Sequence, residues 1–236
     1  MILHTTIKGT GEPIIFLHSR LETGITDFEY QCDQLCDQFQ VILPDLRGHG
    51  NSFSDEFNHF FENTAQDLAE TMEQLQVKEA HIIGSDLGAF AGILLARNHP
   101  QRVKSLTVSG IYPKKPARWN QLHRKETEKQ RRLLRDKTQI DYYNLLHNTN
   151  WREFIYLARN PDWYPFYLSE GLADLRVPVL FIAGESVQYE ASGVSIYGAC
   201  PYIHKAVLPF AGHSVHKDQP VIYNHILLQF LRKITT

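Results

Sequence analysis

"HIIGSDLGAF", residues 81–90, joins a short apolar run to an alanine- and leucine-rich segment through a turn holding two glycines four residues apart. The apolar run reads as a buried strand, and Leu87–Asn98, stopped by Pro100, reads as a helix. A sharp strand-to-helix turn exposes its apex side chain only when the residues two before and two after the apex are small. Otherwise their side chains collide across the bend. Gly84 and Gly88 flank Asp86 in this way. With Ser85 at the apex, the flanking residues would be Ile83 and Leu87, both bulky. The spacing therefore selects Asp86. A helix-capping aspartate would occupy the same place, and a helix N-terminus favours the ionised carboxylate under either reading.

Outward from this turn, apolar runs alternate with helical patterns. Ile14–Leu17, Val41–Leu43, His81–Ile83, Leu106–Val108, Val179–Ile182 and Ala206–Leu208 read as strands. Thr26–Phe39, Asn63–Leu75, Leu87–Asn98 and a terminal segment near Pro220–Lys233 read as helices. This alternation implies a mostly parallel α/β sheet with helices on both faces. Between Lys114 and Leu172 no strand pattern occurs; Arg124–Lys137, Asp141–His147 and Trp151–Arg159 read as helical. The expected organisation is a core of residues 1–113 and 173–236, with a helical lid, 114–172, inserted before the last two strands.

Composition removes several function classes. A net charge of −2 points to neither nucleic acid nor an anionic membrane as partner. No apolar stretch is long enough for a transmembrane helix, and the amino terminus lacks the pattern of a signal peptide. Cys32, Cys36 and Cys200 cannot all pair, which fits a reduced, cytoplasmic chain. Cys32 and Cys36 could share a helix face, but a metal site needs further ligands, so no metal and no cofactor are expected. A monomer or a homodimer acting on a small molecule is the expected form.

In a parallel sheet the active site forms at the carboxyl ends of the strands. Those ends here carry His18-Ser19-Arg20, Asp45–Gly50, Gly84–Gly88, Ser109–Tyr112, Gly184-Glu185-Ser186 and Gly212-His213-Ser214. With these segments the chain resembles the α/β-hydrolase superfamily over nearly all its length outside the lid. "PIIFLHSR" resembles the family's strand and oxyanion turn. "VILPDLRGHGNS" resembles its PDxRGxGxS segment, "HIIGSDLGAFAGILLARNHPQRVKSLTVSG" its nucleophile elbow and following strand, and "FAGHSVHKDQP" the segment of its catalytic histidine. The resemblance implies a nucleophile at Asp86, a base at His213, and one oxyanion donor at the Leu87 N–H. A second donor is implied at the turn of His18, Ser19 and Arg20. The PDLRGHG segment is read as structural, with no catalytic role for His49.

Four departures stand out. Aspartate replaces the usual elbow serine; Val187 stands where the acid usually lies, leaving Glu185 and Glu190 as candidates; Ser19 replaces a glycine; and one amino-terminal strand is missing from the pattern. A carboxylate attacking an ester would give an anhydride, more reactive than its precursor. Attack on saturated carbon gives an alkyl ester that activated water can open. The aspartate thus implies an epoxide or carbon–halogen substrate. Haloalkane dehalogenases usually carry tryptophan after the nucleophile, where this chain has Leu87, leaving Trp119, Trp151 or Trp163 to serve. Epoxide hydrolases use lid tyrosines, for which Tyr142, Tyr143, Tyr156, Tyr164 and Tyr167 stand as candidates. Of these residues Tyr142, Tyr143, Trp151 and Trp163 are the expected lid contacts. Two other readings remain open in the sequence: a relative that keeps the fold for ligand binding, and a non-covalent acid–base enzyme. A carboxylate within reach of the far nitrogen of His213 would favour an enzyme.

Overall fold

The structure is a computed structural model that describes residues 1–198 and 200–234. Its order is β1 (Thr5–Lys8), β2 (Glu12–Leu17), α1 (Gly24–Leu35), β3 (Phe39–Pro44), α2 (Phe60–Gln74), β4 (Ala80–Ser85), α3 (Leu87–Asn98) and β5 (Val103–Ser109). Four helices follow without an intervening strand: α4 (Trp119–Leu133), α5 (Lys137–Leu146), α6 (Arg152–Leu157) and α7 (Phe166–Glu170). The chain then returns to β6 (Val179–Gly184), α8 (Gln188–Ala191), β7 (Ile203–Leu208), α9 (Val215–Asp218) and α10 (Pro220–Ile234).

The seven strands are ordered β1-β3-β2-β4-β5-β6-β7. Only the β1–β3 pair is antiparallel; β2–β3, β2–β4, β4–β5, β5–β6 and β6–β7 are parallel. All six residues of β4 are buried, as expected for a strand covered on both faces. One face of the sheet packs with α2 and α3 in a core that includes Leu68, Met72, Phe90 and Leu95. The opposite face packs with α1 and α10 through Phe28, Leu35, Tyr223 and Leu227. In α3 every residue from Leu87 to Ala96 is buried, so this helix is held between the sheet and its neighbours on all sides.

The end of α1 and the presence of β1 differ from the sequence reading. Helix α1 stops at Leu35 and Phe39 opens β3; Gly9 and Gly11, in the turn between β1 and β2, pack closely against the carbonyls of Cys36, Gln38 and Phe39. Strand β1 has no counterpart in that reading. Its four residues are half-buried or exposed at the sheet edge, so they carry no apolar signal.

Candidate active site

The elbow is as tight as its glycines imply. A Cβ on Gly84 would collide with the Gly88 carbonyl, and one on Gly88 would collide with the carbonyl of Leu17. At the apex Asp86 has φ +49° and ψ −112°. That is a costly conformation for a residue with a side chain, and it is held by its surroundings. The Asp86 N–H donates to Ser109 O at 3.1 Å, and Gly88 N–H donates to His18 O at 3.1 Å. These bonds lock the turn between β2 and β5. Leu87 opens α3, so its N–H has no acceptor within the helix.

The turn after β2 supplies a second donor. Arg20 N–H donates to Asp86 Oδ2 at 3.2 Å. Ser19 is differently engaged: its N–H and its hydroxyl both donate to Asp27 Oδ2, each at 2.7 Å. Asp27 also accepts from His216 Nε2 at 3.0 Å and Lys217 Nζ at 2.9 Å. Burial alone would raise the Asp27 pKa, but the hydrogen bond from His216, the Lys217 charge and the Ser19 donors hold it far below the usual carboxylate range. His18 is fully buried; its Nδ1–H donates to Ser19 O at 2.8 Å and its Nε2 accepts from Leu46 N–H at 2.8 Å. Of the three expected turn residues, only Arg20 therefore offers a donor at the elbow. His18 and Ser19 instead shape the turn. His49 is buried against Phe154, with ring centroids 4.0 Å apart, as its structural reading requires.

His213 Nδ1 lies 2.6 Å from Glu190 Oε1. Val187 and Glu190 share the loop after β6, and the single turn of α8 carries Glu190 inward until it is completely buried. The carboxylate that meets His213 thus lies three residues beyond Val187. Glu185 does not reach the histidine; its carboxylate accepts from the exposed Phe210 N–H at 3.2 Å. Burial lowers the His213 pKa, but the Glu190 hydrogen bond and charge, aided by Asp86 and opposed by Arg20, push it up to about 9. The Glu190 carboxylate therefore favours the protonated ring beside Asp86.

A cavity of about 500 Å³ opens over Asp86 and His213. Phe61, Phe90, Trp119, Trp163 and Tyr164 form much of its wall. Tyr164 Oη accepts from Tyr112 N–H at 2.6 Å, leaving its own proton free. Burial raises both phenols, Tyr112 to about 12, so both stay protonated. Of the four expected lid contacts, only Trp163 lines the cavity. Trp151 is buried with Nε1 on Asn144 Oδ1 at 3.0 Å; Tyr143 packs on Trp151 and His147, and Tyr142 is exposed. All three belong to the helical insertion but stand away from the cavity. Trp119, one of the three tryptophans offered as a halide contact, lines the cavity, and so do Tyr112 and His123, which are not among the expected lid contacts; their position after β5 and on α4 brings them in. Among the described residues no group of three or more His, Cys, Asp or Glu side chains is placed to hold a metal, and no helix is long and apolar enough to cross a membrane.

The charge on His213 sets an expected pH response. A neutral imidazole is needed to take a proton from water, so hydrolysis should quicken as pH rises through the His213 pKa. If Asp86 were esterified its charge would vanish, and with it part of what raises His213. The alkaline rise of a single-turnover hydrolysis rate should then have a midpoint below that of His213 in the free protein, followed by NMR. Coincident midpoints would separate Asp86 from that titration.

Residues 12–149, more than half of the chain, match the model of the α/β hydrolase fold family. A protein of Azorhizobium caulinodans assigned as the carbamate hydrolase RutD is 27% identical over 98% of this chain and 96% of its own length. A fluoroacetate dehalogenase from a Burkholderia species is 29% identical, over 47% of this chain and 38% of its own. Among solved structures, a thermophilic esterase from Thermogutta terrifontis aligns with a TM-score of 0.77 at 22% identity, covering 99% of this chain and 94% of that one. From its elbow, its sheet order and these matches, the chain belongs to the α/β hydrolase fold family and is a hydrolase of that superfamily.

Proposed function

We propose that the protein hydrolyses a small organic electrophile, an epoxide or a carbon–halogen compound, through an alkyl-enzyme formed on Asp86. The observation that carries this reading is the 3.2 Å bond from Arg20 N–H to Asp86 Oδ2. In an ester hydrolase that donor would face an oxygen of the substrate. Here it meets the enzyme's own carboxylate, so the carbonyl that water attacks is the one at Asp86 Cγ.

Two steps follow. Asp86 Oδ attacks the saturated carbon, and the bond to the leaving group breaks with its electron pair. An epoxide oxygen would take a proton from Tyr164 or Tyr112, whereas a halide would leave as the anion. His213 then removes a proton from water, which adds to Asp86 Cγ. The N–H groups of Arg20 and Leu87 hold the oxyanion. Its collapse breaks the bond from Cγ to the alkyl oxygen, which leaves as the alcohol with the proton that His213 took. The remaining carboxyl proton passes to the tyrosinate after an epoxide or to solvent after a halide, restoring the carboxylate. Glu190 orients the imidazole and stabilises it when charged. Residues 114–172 act as the lid whose aromatic side chains select the substrate. A relative kept for binding alone would have no use for a buried carboxylate 2.6 Å from His213, which favours the enzyme.

The test is a single turnover in ¹⁸O-labelled water. The product alcohol should keep an unlabelled oxygen from Asp86, and the label should appear in the peptide containing Asp86. Label in the product of the first turnover would mean that water attacks the substrate directly, and the proposal would fall.

A further inference from the structure

We infer that the substrate carries a carboxylate as well as its electrophilic carbon, and that Arg20 with the inner face of α4 reads it. This inference rests on the assignment of Asp86 as nucleophile, and it deepens that assignment to a substrate class.

An amphipathic helix covering a largely apolar cavity should turn its apolar stripe inward. Helix α4 does otherwise. Leu122, Lys125, Glu126, Lys129 and Gln130 recur at three- and four-residue spacing, which puts them on one face. All five line the cavity. Gln130 is 6% exposed, and its Oε1 has no hydrogen-bond partner. A buried amide left unsatisfied costs free energy unless something enters to bond it. Turned by 180°, the same amide would present its NH₂ group to an anion.

Arg20 supplies the opposite wall. Its backbone holds Asp86 while its side chain lines the cavity. Among the described residues the guanidinium meets one carboxylate, Glu126, with Nη2 and Oε1 3.5 Å apart. Glu126 is also 3.5 Å from Lys129 Nζ. Both contacts are long and single, and a guanidinium can bind a carboxylate through two parallel N–H groups. Exposed ion pairs of this kind hold weakly. Glu126 therefore serves as a resident stand-in that a substrate carboxylate displaces.

Charge balance points the same way. Arg20, Lys125 and Lys129 face the cavity against Asp86 and Glu126, and alkylation removes the charge of Asp86. Arg20 carries both contacts, its backbone N–H on Asp86 and its guanidinium in the same cavity. An organohalide or epoxide that also bears a carboxylate, such as a 2-halocarboxylate or a 2,3-epoxycarboxylate, presents an anion to the guanidinium and a reactive carbon to Asp86. The corresponding amide or ester keeps the shape and lacks the charge.

The experiment compares unreactive probes, propionate and propionamide, by quenching of tryptophan fluorescence, since Trp119 and Trp163 line the cavity. Propionate should bind at least about tenfold more tightly than propionamide, as a charge-assisted bidentate contact requires. Arg20→Gln should abolish that preference, and Glu126→Gln should tighten propionate binding. Both side chains are partly exposed, so thermal melting serves as the folding control. Equal affinity for the two probes, or a preference that survives Arg20→Gln, would overturn the inference. Incubating His213→Gln with glycidate and with glycidamide separates the two readings. Equal adducts on Asp86 from both would leave the nucleophile standing without anion recognition. A propionate preference that depends on Arg20, without any adduct, would uphold the anion site and remove Asp86 as nucleophile.

Discussion

His213→Gln is expected to halt after its first chemical step and to accumulate as a covalent ester. In the proposed mechanism the attack by the Asp86 carboxylate needs no proton acceptor, and Arg20 N–H holds that carboxylate in place. Hydrolysis of the ester does need one, and no other imidazole lining the cavity is paired with a carboxylate as His213 is with Glu190. Steady-state turnover should fall about 10⁴-fold or more, the range seen when a member of a catalytic unit is removed. Intact mass should rise by the alkyl group, and peptide mapping should place the increase on Asp86. An unmodified protein after incubation with a compound that the wild type consumes would put His213 in the first step instead.

Asp86→Ala should be silent in both steps, with turnover reduced about 10⁴-fold or more and no adduct in the presence of an intact His213. Its fold should survive. The backbone at φ +49° is imposed by Gly84, Gly88 and the bonds to Ser109 and His18, not by the carboxylate. Circular dichroism and thermal melting check this. A folded Asp86→Ala that still turned over an epoxide or a haloalkane would show that the carboxylate is not the nucleophile. Its imidazole should also titrate at lower pH than in the wild type, because Asp86 contributes to holding it near 9.

The elbow was legible because its constraint is local. Two glycines at fixed offsets admit one apex, and the collisions that a Cβ would cause are with backbone a few residues away or on the adjacent strand. The buried parallel strands were legible for the same reason, since a strand covered on both faces is apolar along its length. The acid was not resolvable between Glu185 and Glu190. They are five residues apart in one loop, and the four-residue α8 that turns Glu190 inward is too short to leave a periodic signal. The cavity wall was the least legible part. Tyr143 and Tyr164 are both aromatic residues of the helical insertion, yet one packs on Trp151 and His147 while the other stands over Asp86 and Tyr112. That difference is decided by how the insertion folds back on the core. Ser19 posed a similar problem. Its tolerance where glycine is usual depends on Asp27, eight residues away on α1.

Asp27 ties together two segments that are nearly two hundred residues apart in sequence, the turn carrying Ser19 and the stretch carrying His216 and Lys217. One carboxylate thus sets the stance of both the donor turn and the segment just after His213. Evolution or laboratory selection cannot tune these loops independently. A substitution at Ser19 changes what His216 and Lys217 must satisfy, and the reverse holds as well, so their effects will not add. The path from this chain to a relative with glycine at position 19 therefore runs through coordinated replacements, and the order in which they arrive decides whether each intermediate still works.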